Sequence, residues 1–341
     1  GEGLCSAGLN LQIKQGIAML NLQLNERSAI LGALNYIADV GDGATGEQVL
    51  VIETLSRSVL DLPADTISIP IDEIAEAFVT AASRRRCMQL AMIVGVCRHP
   101  LGGEQLNRLA ELGETLGVGA EEINILSELS VKSAELVTGD FVRSYDSHMA
   151  DMSEVGAGDA DELAEMMKHF RSLAPGTLGY SYVAFHDRNG FQLPGSGTPN
   201  PAYYVNHDMN HVIAGYEPTG PGEIALGAFK VGMSDTDATW MAFLANLLIH
   251  EVGLFKHGKD EQFIPYGTSM YADREGQGAL HLPGAAALVA EGFARGAATT
   301  YDFASADHLA LADQLLVDLR SEFGVRGRAD AYDGGLGVSW S

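Results

Sequence analysis

Apolar residues recur three and four positions apart along most of this chain, as at Leu31, Leu34, Ile37 and Ala38 and again at Ile123, Leu126 and Leu129. That is the period of one face of an α-helix. Long runs of apolar–polar alternation, which would mark half-buried strands, are missing from Leu9 to about Tyr145. An all-α fold is therefore expected. The 341 residues, 46% hydrophobic and 19% charged, suffice for two helical domains that each bury a core. Periodicity weakens after Val137, and Asp151 to Ala160 is polar and glycine-rich, which marks a boundary. The expected organisation is a helical domain over 9–150, a linker over 151–160, a second helical domain over 161–326 and a flexible tail over 327–341.

Charge excludes some partners. A net charge of −24 repels nucleic-acid phosphates, so no nucleic-acid partner is expected, and it does not favour docking on anionic lipid. The one basic cluster, Arg84-Arg85-Arg86, reads as a solvated or interdomain patch. Its longest apolar runs, Met88 to Cys97 and Trp240 to Ile249, are about half of the ~20 residues a membrane span needs and read as buried helix cores. Three cysteines, Cys5, Cys87 and Cys97, have no metal spacing and read as reduced thiols. With no basic start followed by an apolar segment, a cytoplasmic protein without a secretory signal is expected. A homo-oligomer is also expected.

Eight of the ten histidines lie after residue 151, which points the chemistry towards the second half. The richest stretch is Asn200 to Glu223. Asn200 suits an N-cap, Pro201 a first helical position and Gly215 a left-handed stop, which predicts a helix of about four turns. His207 and His211 then share a face, because residues four apart are neighbours on a helix. Pro218, Gly220, Pro221 and Gly222 turn the chain, and Glu223 opens the next apolar helix, where it can fold back towards the histidines. Asp208 is a fourth polar group beside them. Two imidazoles and a carboxylate suit one divalent ion, zinc or iron ahead of manganese or magnesium, and three protein ligands leave coordination positions open.

His207-Asp208-x-x-His211, eleven further residues and then Glu223 resemble the metal signature of the coenzyme Q biosynthesis protein 4 family. Leu173-Ala174-Pro175-Gly176-Thr177-Leu178-Gly179 resembles that family's Pro-x-Thr-Leu-Gly segment, and Leu319-Arg320 to Gly324-Val325 its closing element. The resemblance spans about Leu163 to Val325. It implies a role in making ubiquinone: a divalent metal held by His207, His211 and Glu223 acts on a prenylated aromatic ring, in oxidative removal of the ring carboxyl with hydroxylation at that carbon. Asp208 would be a fourth ligand or an acid/base. Helices rich in small residues, such as Gly284 to Ala298, would wall the groove for an isoprenoid lipid, with other quinone-biosynthesis proteins and peripheral contact with a membrane as further implied partners. Two alternatives stay open. One is a non-catalytic lipid-binding scaffold with a closed four-ligand site. The other is a zinc hydrolase, since His-Asp-x-x-His is one methylene short of His-Glu-x-x-His.

Two turns in the first half echo each other, Ala38 to Glu47 and Cys97 to Glu104, each ending in a glutamate that opens a helix. The pair resembles the tellurite-resistance TerB-like fold, whose turns carry acidic residues proposed to bind metal. Here only the first turn keeps them, as Asp39, Asp42 and Glu47, which makes a weak second metal site or simply a tight turn with a helix-capping acid. In the second half, Thr239 to Phe255 is an apolar helix carrying His250-Glu251, and His257 shares its face; these three are candidates for a supporting shell or a hydrogen-bonded core pair. Asp307 to Phe323 is expected to form the closing helix.

Overall fold

The structure is a computed structural model that describes residues 22–64, 68–98, 102–118, 160–189, 191–195, 204–251 and 278–327. Among them the fold is all-α, with thirteen α-helices and no strand. None of these helices is long and apolar enough to cross a membrane. The expected boundary at 151–160 lies outside the described residues except for Ala160.

Five helices come first: α1 (Leu24–Ala38), α2 (Gly46–Leu55), α3 (Ile71–Glu76), α4 (Ala81–Val96) and α5 (Gly103–Leu116). A helix that is apolar around most of its circumference has to be enclosed. Accordingly Ile30, Leu31, Leu34 and Ile37 of α1 and Leu90, Ala91, Ile93 and Val94 of α4 have no exposed surface. The second group is α6 (Ala160–Ser172), α7 (Leu178–Asn189), α8 (Tyr204–Ala214), α9 (Gly220–Met233), α10 (Asp237–His250), α11 (Ala285–Ala298), α12 (His308–Leu311) and α13 (Leu316–Glu322).

Helix α9 organises both apolar cores. Ile224, Ala228 and Val231 join the core of the first five helices, together with Trp240, Phe243 and Leu247 of α10 and Val289 and Phe293 of α11. Ala225, Leu226 and Phe229 join the other core, with Phe170, Tyr182, Phe185, Met209, Ile213 and Phe303. Where α2 meets α9, α10 and α11, the remaining cavity is only about 10 Å³. The basic cluster seals the edge of this seam: Arg85 pairs with Asp237 at 2.7 Å and Arg86 with Asp235 at 2.8 Å. Those arginines thus have partners at the start of α10.

Helices α9 and α11 touch backbone to backbone. A Cβ at Gly296 would stand 2.1 Å from the Phe229 carbonyl, one at Gly292 2.4 Å from that of Ala225, and one at Gly232 2.4 Å from that of Phe293. Only glycine permits such an approach. The glycine face of α11, expected to wall a groove, is in contact with α9.

One expected element is corrected. Asp307 to Phe323 is not one helix but α12 and α13 with a break between them. The break is held by the start of α7 and the turn before it, where Leu178 and Gly179 N–H donate to the carbonyls of Gln314 and Ala312, and Leu316 N–H donates to that of Gly176. Backbone groups satisfied from outside have no need of the next helical turn.

Candidate metal centre

Helix α8 presents the histidine pair. Its first expected residues, 200–203, lie outside the described residues, and from Tyr204 it runs three turns to Ala214. Gly215 takes the left-handed conformation (φ 76°) and its N–H bonds to the His211 carbonyl at 2.7 Å, the glycine stop expected. Thr219 caps α9 by accepting from Gly222 N–H, and Pro221 fits its first turn. A Cβ at Gly222 would lie 1.9 Å from the Glu217 carbonyl, so this turn closes only around glycine. Glu217 is itself buried and held by Arg188 and Asn189 of α7. That rigid turn sets Glu223 opposite the histidines.

The donor atoms converge. His207 Nε2 and His211 Nε2 are 3.1 Å apart, His211 Nε2 is 3.0 Å from Glu223 Oε1, and His207 Nε2 is 3.3 Å from Glu223 Oε2. Atoms that each bind one ion at about 2.0–2.1 Å sit roughly 3–3.4 Å from one another, so the set fits a single transition-metal ion. Asp208 also offers an oxygen, in a group with His207 and His211 whose ligand atoms lie within 4.8 Å of each other. Its spread is looser than the His207–His211–Glu223 set.

His211 is oriented by its surroundings. Its Nδ1 donates to the Tyr216 carbonyl at 2.8 Å, and its ring stacks on Phe185 at 5.6 Å. A carbonyl only accepts, so Nδ1 carries the proton and the Nε2 lone pair is left for a metal. Burial alone would raise the Glu223 carboxyl, but the two imidazoles outweigh it and hold it well below the usual carboxylate range. Burial alone would lower His211, but the charge and hydrogen bond of Glu223 prevail and raise it. For His207 burial wins and its pKa falls.

These directions make a pH prediction. Without metal, the His211–Glu223 attraction is complete between the ordinary values of 4.5 and 6.5; it is lost below as Glu223 protonates and above as His211 passes its raised pKa. A metal ion displaces that His211 proton. Zinc binding measured calorimetrically near pH 6.5 in buffers of different ionisation enthalpy is expected to release protons, because His211 is more than half protonated there. Heats that do not depend on the buffer would contradict this.

Several residues that hold the site escaped sequence reasoning. Asp208 Oδ2 lies 3.0 Å from Nε2 of His186, a fully buried residue of α7 against which Tyr182 packs at 4.5 Å. The two are 22 positions apart, and no local spacing joins them. Two buried arginines close the C-terminal end of α8. Arg320 donates to the carbonyls of Ile213 and Val212 at 3.0 and 2.7 Å, and Arg295 to that of Ala214 at 2.7 Å. Those carbonyls have no partner within the helix, and the cations suit its negative end. Burial, then Arg295, push Arg320 down to about 10. Arg320→Met should cost about 2–4 kcal/mol in urea unfolding, because the freed carbonyls stay buried; a loss below 1 kcal/mol would count against this role.

The remaining candidates separate. His250 ends α10 and stands within electrostatic reach of Glu223, His207 and His211, its pKa lowered chiefly by burial. Glu251 turns elsewhere and accepts from Leu280 N–H at 2.8 Å. His257 lies outside the described residues. Asp39, Asp42 and Glu47 do not gather: Asp39 is exposed and reaches Arg108 at 4.0 Å, Asp42 is exposed, and Glu47 is buried in α2. The carbonyls of that first turn, Ala38, Val40 and Gly43, instead accept from Arg98 of the second turn. A guanidinium thus stands where the echoing turn suggested a cation.

No family model and no curated protein matches this chain. Among solved structures it is similar to a proposed ubiquinone biosynthesis protein from Nostoc punctiforme, at 15% identity and a TM-score of 0.32, over 71% of this chain and 99% of that one. A likeness that loose transfers no site or activity.

Proposed function

We propose that this chain holds one divalent metal ion, iron or zinc, between His207, His211 and Glu223, and uses it in an oxidative reaction on a prenylated aromatic ring. The observation that supports the metal is the convergence of two imidazole nitrogens and a carboxylate at 3.0–3.3 Å in a largely buried site. The substrate and reaction come from the resemblance of His207-Asp208-x-x-His211 and Glu223 to the coenzyme Q biosynthesis protein 4 signature. Such a triad leaves coordination positions free, and when bound the metal would supply Lewis acidity and, if iron, electron transfer.

The protein's own groups do the rest. The Tyr216 carbonyl fixes the His211 tautomer, and Phe185 shields its ring from water. Asp208 and His186 form a buried pair that can hold a proton between Oδ2 and Nε2, beside the ligands and apart from them. A scaffold reading draws on one observation: the Asp208 oxygen within 4.8 Å of the histidine donors, which would supply a fourth ligand.

Elemental analysis of protein purified without added metal tests the proposal, on the native chain and on His207→Ala, His211→Ala and Glu223→Ala. About one equivalent of iron, lost in all three, supports the oxidative reading. Zinc with the tetrahedral cobalt-substituted spectrum of four protein ligands would favour the scaffold. No metal in the native protein would sink both.

A further inference from the structure

Lys230 lies seven residues after Glu223 on α9, close to two full turns, so the two share a face. Its side chain is half-buried, and among the described residues it makes no hydrogen bond or ion pair. It lies within electrostatic reach of Glu223 and Asp208, although burial is the larger effect and lowers its pKa. Across the end of α9 stands His308, fully buried, with neither ring nitrogen hydrogen-bonded. Burial, then the charge of Lys230, hold His308 down to about 4, so it is a neutral imidazole with one donor and one acceptor unused. The contacts of Phe303 tie this region to the site: its carbonyl accepts from Asn210 of α8 and its N–H reaches Met233 of α9. The Tyr182 hydroxyl and His186 Nδ1, beside Asp208, are likewise buried without partners.

Buried polar groups without partners are costly, and so many around one centre point to a polar ligand. We propose that Lys230 is the anion-binding point of this site and takes the carboxylate of a small organic acid whose other end reaches His207, His211 and Glu223. The inference rests on the metal reading above. A divalent ion with Glu223 and Asp208 is neutral, and Lys230 then leaves one positive charge. One carboxylate matches that charge, and a phosphate dianion exceeds it.

Benzoate is the probe, with benzyl alcohol as its neutral analogue and inorganic phosphate as the competing anion. Binding to the full chain is followed by ligand-observed NMR, and metal content is measured on the same samples of native protein, Lys230→Met and Lys230→Arg. The expected result is benzoate affinity about 10- to 100-fold weaker in Lys230→Met, the loss of one charge-assisted bond. Lys230→Arg should retain most of the affinity, and benzyl alcohol should bind all three alike. Equal benzoate affinity in Lys230→Met, or no binding to native protein, would overturn the proposal even with metal in place. Lys230-dependent phosphate binding tighter than benzoate would overturn the carboxylate assignment. Lys230-dependent benzoate binding by protein that retains no metal would uphold the anion site and remove the metal reading. Should Lys230→Met fail to fold, Lys230→Gln takes its place.

Discussion

His211→Ala is expected to abolish metal retention and to cost about 3 kcal/mol of stability. The two losses have separate origins. Of the two imidazoles, His211 is the more buried, and its Nε2 lies 3.0–3.1 Å from both Glu223 and His207. Without it the remaining ligands are too few for a tight site. The stability loss comes from the space left against Phe185, the unpaired Tyr216 carbonyl and the weakened hold on Glu223, whose carboxylate keeps only the longer 3.3 Å contact of the two, to His207. Dialysis against a chelator followed by elemental analysis reads the first effect, and urea unfolding of the metal-free protein the second. His169→Ala, at an exposed position of α6, should change neither. Stoichiometric metal in dialysed His211→Ala would place the ion elsewhere.

Gly296→Val should be the most destabilising single change in the helical core. Its Cβ would stand 2.1 Å from the Phe229 carbonyl and 2.9 Å from Met233 N, both backbone atoms that cannot rotate away. Helices α9 and α11 must separate, and α9 belongs to both apolar cores. A loss of about 3 kcal/mol or more follows, which lowers the melting temperature by about 4 °C or more in a chain of this size. Because Glu223 and Lys230 ride on α9, metal retention should fall as well. Thermal unfolding within 2 °C of native would mean that the two backbones are not in contact.

Much of the site was legible because its signals are local. His207 and His211 share a face through the helical period alone, Gly215 marks the stop, and Pro218 to Gly222 can only be a turn. Glu223 followed from that turn, since a chain reversed after α8 brings the start of α9 back over it. The all-helical class came from the same periodicity, and Met88 to Cys97 read as buried because it is apolar on every side. Asp307 to Phe323 misled for the complementary reason: its helical pattern is real, but the segment at 176–179 satisfies the backbone at the break, and that partner is more than 130 residues away.

What only the tertiary structure decided are the pairings between distant polar groups. Arg98 filling the first acidic turn, His186 on Asp208, and Arg295 and Arg320 on the last carbonyls of α8 join residues 22 to 108 positions apart. Hydrogen bonds and ion pairs act over a few ångströms in space and leave no period along the chain. Sequence spacing reports which groups one helix can bring to a face. Which of them finds a partner, and which, like His308, is buried without one, depends on how the helices pack, and glycines at a crossing such as that of α9 and α11 set that packing at backbone contact.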